Sequence, residues 1–395
     1  MASDNRWLTR FPAVLSGCLG LCCAGSLAVG RMDWVGPTLS GCLLCLALAV
    51  LGIPRLKQQV FTVWILAAVA AAMTWPDWFA RIGDFETNRL IIPVLQVIMF
   101  GMGTTMSIGD FLGVVRMPGG VVIGVIGQLT IMPLLGYGLA VSFKFPPEIA
   151  AGIVLVGCSP SGLASNVMCY LARANVALSI TLTTVITLLS PFTTPLLMKL
   201  LASQMIPVDA WAMMWSIVQM TILPVVGGIV FHHTLSHHMR WLERAMPGIS
   251  MTGILVATLI IISAGRDALL NVGMTLMLVC FLHCGLGYLL GYFLARVLGC
   301  DIQTCRTVSF EVGMQNSGLA TGIAASMNKI GTLGLAPVVF GPIMNVAGSI
   351  LASWWRAQPV DERPATTPQA AMTQPHGSVN VLNPRDGSES AGTTA

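Results

Sequence analysis

The sequence predicts an all-α polytopic membrane protein whose two halves are inverted repeats. Three observations carry that expectation. Of 395 residues, 55% are hydrophobic and only 9% charged, against about 25% charged in a soluble domain; the chain lacks the polar residues to coat a water-facing surface of its size. Apolar segments recur at the length a helix needs to cross a bilayer, about 20 residues. Two short words also repeat, in one order and at nearly one spacing. The net charge of +4 is small and the basic residues are scattered, which argues against a nucleic-acid partner.

Twelve apolar segments follow in order, at roughly 13–30, 36–53, 59–76, 91–107, 119–142, 147–171, 175–201, 211–231, 249–265, 272–297, 306–327 and 331–355. The first two form an N-terminal extension, 1–58. Arg6 and Arg10 precede the first, and Leu15-Ser16-Gly17-Cys18 resembles a lipoprotein cleavage box. The apolar stretch before that cysteine is too short for a signal-peptide core, so a retained span is expected. The same tetrapeptide returns at Leu39-Ser40-Gly41-Cys42, which suits helices packed through small residues. Trp34, Trp75, Trp78, Trp211, Trp354 and Trp355 stand near segment ends, as interfacial anchors do.

Charge orients the spans. With the N-terminus inside, eleven Lys and Arg residues from Arg6 to Arg356, Arg306 among them, fall on the cytoplasmic side against seven on the other. The positive-inside rule then places both termini in the cytoplasm, in a plasma (inner) membrane. From about residue 359, Pro, Thr, Gln, Ser and Gly dominate and no apolar period survives; residues 357–395 read as a disordered cytoplasmic tail.

The repeated words set the architecture. Leu134-Leu135-Gly136-Tyr137-Gly138-Leu139-Ala140 is echoed 155 residues on by Leu289-Leu290-Gly291-Tyr292-Phe293-Leu294-Ala295, and Ser161-Gly162-Leu163-Ala164-Ser165 is echoed 156 residues on by Ser317-Gly318-Leu319-Ala320-Thr321. That offset moves one segment to the fifth after it. An odd number of crossings reverses direction, so the copies would be inverted, with a site near the midplane where discontinuous helices meet. Both copies of the second word sit mid-span beside helix-weakening residues: Ser159-Pro160-Ser161-Gly162 in one, Gly313 and Gly318 in the other. Two broken helices are expected to cross there.

Glu311 lies in the second of these segments. A carboxylate at that depth costs several kcal/mol and marks function by default. Gln315 and Asn316 add uncharged oxygens within about one turn. A lone acid, amide oxygens and a breakable helix look like a cation site in a transporter. Ser179 and Thr183, four apart, share a helix face, although such hydroxyls also serve as helix glue; Gln128 invites the same two readings, while Asn345 and Ser349, also four apart, read as packing or pore-lining residues. Eleven cysteines do not predict disulfides or zinc: most lie in apolar runs, and the lone Cys42–Cys45 pair has no second pair or nearby histidine. His232, His233, His237 and His238 read as a solvated cytoplasmic loop before a metal site, and His283 as a packing residue.

At these residues the chain resembles the bile acid:sodium symporter family. Phe100-Gly101-Met102-Gly103, Gly127-Gln128-Leu129-Thr130-Ile131-Met132-Pro133, Gly157 through Asn166 and Glu311 through Gly318 follow its pattern in order, over about 59 to 356. The resemblance implies a ten-helix (5+5) inverted-repeat transporter over 59–356, its first repeat about 59–201 and its second about 211–356, with panel and core domains and two crossed broken helices. Residues 1–58 stand outside that pattern as two extra N-terminal apolar helices. It also implies two sodium sites. One would use Ser165, Asn166, Ser179, Thr183 and Glu311. The other would use Gln128, Glu311, Gln315 and the backbone carbonyls of Val312 and Met314. Asn316, with Ser161 and Ser317 at the loosened helix ends, would face the substrate.

Hard monovalent cations favour such oxygen ligands. One carboxylate shared by two Na+ ions leaves a local positive excess that suits an anionic substrate, aided by helix N-termini. The expected function is a sodium-coupled symporter importing an organic anion, bile acid-like or a small carboxylate such as pantothenate, across the lipid bilayer by alternating access. A proton-coupled or uncoupled exporter on the same scaffold, and a non-transporting membrane receptor, compete with that reading. An intramembrane enzyme does not fit, because the spans offer one clear acid and no paired acid or histidine pair.

Overall fold

A computed structural model describes residues 6–51, 60–106, 109, 112–234 and 240–358. Each expected apolar segment falls on a helix or a pair of helices: α1 (Arg6–Ala28), α2 (Met32–Leu51), α3 (Val60–Thr74), α5 (Ile91–Thr104), α7 (Pro118–Ser142), α8 (Pro147–Cys158) with α9 (Ala164–Leu171), α10 (Val176–Ala202), α11 (Ala210–Ile217) with α12 (Leu223–Thr234), α13 (Arg240–Ala264), α14 (Arg266–Val297), α15 (Ile302–Gly313) with α16 (Ser317–Ser326), and α17 (Leu335–Arg356). Short helices α4 (Pro76–Ala80) and α6 (Leu112–Arg116) lie between spans. Among the described residues seven helical stretches are long and apolar enough to cross a membrane, α11 and α12 counting as one through a π-helical turn at Val218–Ile222. The chain is an all-α polytopic integral membrane protein.

Three local features depart from the expectations. A hairpin of β1 (Arg81–Ile82) and β2 (Phe85–Glu86) follows α4, turning at Gly83 with φ of 62°; two residues per strand are too few to leave an alternating pattern. His232 and His233 end α12 as its last turn rather than lying in a loop, while His237, His238 and the tail from 359 lie outside the described residues. Arg306, counted among the cytoplasmic-side charges, is buried in the protein. It is 2% exposed in α15, donates to the Ala172 carbonyl at 2.9 Å and lies over the Trp355 ring at 5.8 Å. The carbonyl end of α9 and an indole face partner the guanidinium, while its Nε–H is buried with no partner among the described residues.

The helices pack in two groups, with the N-terminal pair attached to one. In the first group α5 packs against α12 and α13, and α13 against α3. In the second, α14 packs against α7, α15 and α17, and α10 against α7 and α8; its core includes Phe310, Phe340, Met132, Ile153 and Leu155, all fully buried. The first group has its own smaller core around Ile91, Leu95, Ile260 and Ile261. The repeated Leu-Ser-Gly-Cys word docks the N-terminal pair: Ser16 Oγ donates to the Cys42 carbonyl of α2 at 3.0 Å, and Ser40 Oγ lies 3.0 Å from Thr74 Oγ1 of α3. Small residues let each helix approach the next.

Candidate functional site

Two helices of the second group break where the sequence indicates. Pro160 has no N–H to continue α8 and pushes the preceding residue toward extended backbone; Ser159 sits at φ −78°, ψ 153°, and α9 begins only at Ala164. The second break has no proline. Met314 turns extended at φ −109°, ψ 107°, and the Asn316 side chain accepts from the Leu319 N–H at 3.0 Å to start α16, a strong helix-opening cap. The two extended pieces pair antiparallel, Ser161 opposite Gln315. Asn316 N–H donates to the Pro160 carbonyl at 2.7 Å and Gly162 N–H to the Met314 carbonyl at 3.3 Å. Two of the N–H groups and two of the carbonyls freed by the breaks thus satisfy each other, and side chains meet the Cys158, Ser159 and Val312 carbonyls, as a membrane interior requires. Gly313 lets α15 pack closely on α14: a Cβ there would run into the Tyr288 ring.

Glu311, 0% exposed, lies just before this crossing. Its Oε1 accepts from Ser165 Oγ at 2.5 Å, Ser179 Oγ at 2.5 Å and Thr183 Oγ1 at 3.1 Å. Its Oε2 accepts from Ser161 Oγ at 2.6 Å and Thr183 Oγ1 at 3.0 Å. Asn166 Oδ1 lies 2.7 Å from Ser179 Oγ and 3.3 Å from Thr183 Oγ1. Among the described residues no Lys, Arg or His pairs with Glu311, and no cluster of His, Cys and acids of transition-metal type exists.

The proton count of this cage limits how its oxygens can bond to one another. Ser165, Ser179 and Thr183 carry one hydroxyl proton each, yet each faces two or three acceptors: the carboxylate, the Gly162 carbonyl at 2.8 Å or the Asn166 amide oxygen. A hydroxyl donates once and accepts through two lone pairs. Oxygens exceed the protons that could hold them together. One negative charge and a shell of hard neutral oxygens suit a small alkali ion.

A second cluster adjoins it. Gln128 and Gln315 face each other with both amides engaged: Gln128 Nε2 donates to Gln315 Oε1 at 2.7 Å, and Gln315 Nε2 to Gln128 Oε1 at 3.2 Å. Gln128 Nε2 also donates to the Ser159 carbonyl at 2.9 Å and Gln315 Nε2 to the Val312 carbonyl at 2.6 Å. The residues expected at the first sodium site therefore converge on Glu311. Those expected at the second gather around the paired amides, with the Met314 carbonyl bonded to Gly162 N–H. Ser161, expected near substrate, is a donor to Glu311; its sequence signal was its place beside Pro160, which gave position but no role. Asn316 caps α16, and Ser317 opens it half-buried beside Gly341.

Residues 92–272 match the model of the sodium bile acid symporter family. The uncharacterized sodium-dependent transporter YocS of Bacillus subtilis is 39% identical over 304 residues, spanning 77% of this chain and 92% of its own length. The chain belongs to the sodium bile acid symporter family. Within it, the probable sodium/metabolite cotransporter BASS1 of Arabidopsis thaliana, chloroplastic, is 34% identical over 76% of this chain and 74% of its own. The probable sodium/metabolite cotransporter BASS2 of Oryza sativa, also chloroplastic, is 32% identical over 77% and 72%. These relatives are transporters rather than enzymes.

Proposed function

We propose that the protein is a sodium-coupled symporter that imports an organic anion by alternating access. The observation that supports this most is the fully buried Glu311 carboxylate, held by four hydroxyls at the crossing of two interrupted helices. Names of relatives as sodium-dependent or sodium/metabolite transporters agree with it. In this reading Ser165, Asn166, Ser179, Thr183 and Glu311 bind one Na+. Gln128, Gln315, Glu311 and the Val312 and Met314 carbonyls bind a second once the amide pair reorients. Asn316, Ser317 and the start of α16 receive the anion, where the helix dipole favours negative charge. The second helix group is the core and the first the panel of a ten-helix inverted-repeat transporter; both termini are cytoplasmic in the plasma membrane.

Coupling follows from energy differences between states. Each Na+ moving inward gains about 2.3 kcal/mol per 100 mV, and ions plus substrate together stabilise one panel–core arrangement over the other. The test is uptake into proteoliposomes of a panel of bile salts and small carboxylates, with and without a sodium gradient. Sodium should stimulate uptake by the native chain and not by Glu311→Gln. Unchanged stimulation in that variant would refute the reading.

A further inference from the structure

The oxygen-bearing face of α10 does not stop at the Glu311 cage. Ser179, Thr183, Thr187, Ser190 and Thr194 recur at the three- and four-residue spacing of one helix face, and each is 0% or 1% exposed. The lower two bind Glu311. At the far end Thr194 Oγ1 donates to the Cys158 carbonyl at 2.7 Å, where α8 ends at the first break. Between them, Ser190 Oγ donates to the Thr187 carbonyl at 2.7 Å. The Thr187 hydroxyl itself has no partner among the described residues, and neither does that of Thr184, its neighbour one turn back. Threonines inside membrane helices ordinarily bond back to their own turn, as Thr181 does to the Ala177 carbonyl here. Two adjacent buried hydroxyls that do not are costly, by about 1–3 kcal/mol each, unless something else meets them. Thr187 sits about 6 Å along the helix from Thr183, and Thr184 directly follows Thr183 in the chain; a separate apolar row of α10, Leu178, Leu182 and Ile186, packs on Val121.

We infer that Thr187, with Thr184 one turn back, forms a waystation for a sodium ion travelling along the hydroxyl face of α10 from its Thr194 end to the Glu311 cage. This rests on the proposed sodium coupling and adds a route to it. A waystation acts on rates: it lowers the barrier to entering the cage without being part of the final ligand set. Water alone could also bridge the two hydroxyls, and the experiment separates the cases.

The full chain in proteoliposomes is tested with radioactive sodium as the only probe, comparing the native protein with Thr187→Val, which keeps the shape and removes the oxygen, and Thr187→Ser, which restores it. Thr187→Val should slow sodium exchange by about tenfold, Thr187→Ser should recover most of that rate, and sodium bound at equilibrium by the purified protein should stay unchanged. Native exchange rates in Thr187→Val would overturn the waystation, as would a Thr187→Ser variant equally slow, which denotes packing or water structure. Loss of equilibrium binding would make Thr187 a ligand and overturn it too. Should Thr187→Val fail to fold, Thr184→Val carries the same comparison with the same outcomes. A native protein that neither binds nor exchanges sodium would defeat the proposed function itself, before any variant is read.

Discussion

The two breaks meet but are made differently. The first, between α8 and α9, is written into the covalent chain by Pro160, spans residues 159–163 and supplies hydroxyls from Ser161 and Ser165. The second, between α15 and α16, spans only residues 314–316, contains no proline and supplies the charge through Glu311. Its non-helical backbone is held by partners: the Pro160 carbonyl, Gly162 N–H and its own Asn316 cap. One break is intrinsic and the other depends on it. The proline-fixed break presents neutral hydroxyls, and the break held by its partners carries the acid.

The largest test of that contrast strips each side of its chemistry. Glu311→Gln should lower sodium-stimulated uptake at least about a hundredfold, because no other acid stands in the cage. Ser165→Ala should lower it only about tenfold, since Ser161, Ser179 and Thr183 still reach the carboxylate. Equal losses would erase the distinction between charge and shell. Next comes the backbone. Pro160→Ala lets α8 run on, removes the constraint on Ser159 and strains both breaks; thermal unfolding should show a loss of about 2–3 kcal/mol together with weaker sodium stabilisation. Asn316→Ala removes one cap and should cost about 1 kcal/mol, confined to the second break. If it costs as much as Pro160→Ala, the second break is no more conditional than the first. The smallest effect concerns the amide pair. A double-mutant cycle of Gln128→Leu and Gln315→Leu should return a coupling of about 0.6–1.7 kcal/mol, the range for hydrogen bonds between membrane helices; a value near zero would detach Gln128 from the second break.

Much of the site was legible because local chemistry dictates it. Pro160 breaks a helix wherever it stands mid-span, Glu311 is conspicuous in an apolar run, and the four-residue spacing of Ser179 and Thr183 puts them on one face. What escaped depends on contacts across the chain. Ser161 donating to an acid 150 residues away has no local signature, nor has the mutual pairing of Gln128 and Gln315 over 187 residues. The burial of Arg306 has no local signature, because its partners, the Ala172 carbonyl and Trp355, come from other helices. Two further features are local: Asn316 ahead of Ser317-Gly318-Leu319 is a cap pattern, and the hydroxyl face of α10 continues past Thr183 to Thr194. The π-helical turn at Val218–Ile222 leaves no compositional trace.

The antiparallel pairing of the two breaks is made wholly of peptide groups: the carbonyls of Pro160 and Met314, the N–H groups of Gly162 and Asn316. Every amino acid brings a carbonyl, and all but proline bring the N–H, so the frame is indifferent to most side chains mounted on it. Descendants of this chain can therefore exchange many of the side chains that project from the crossing while the joint underneath stays the same.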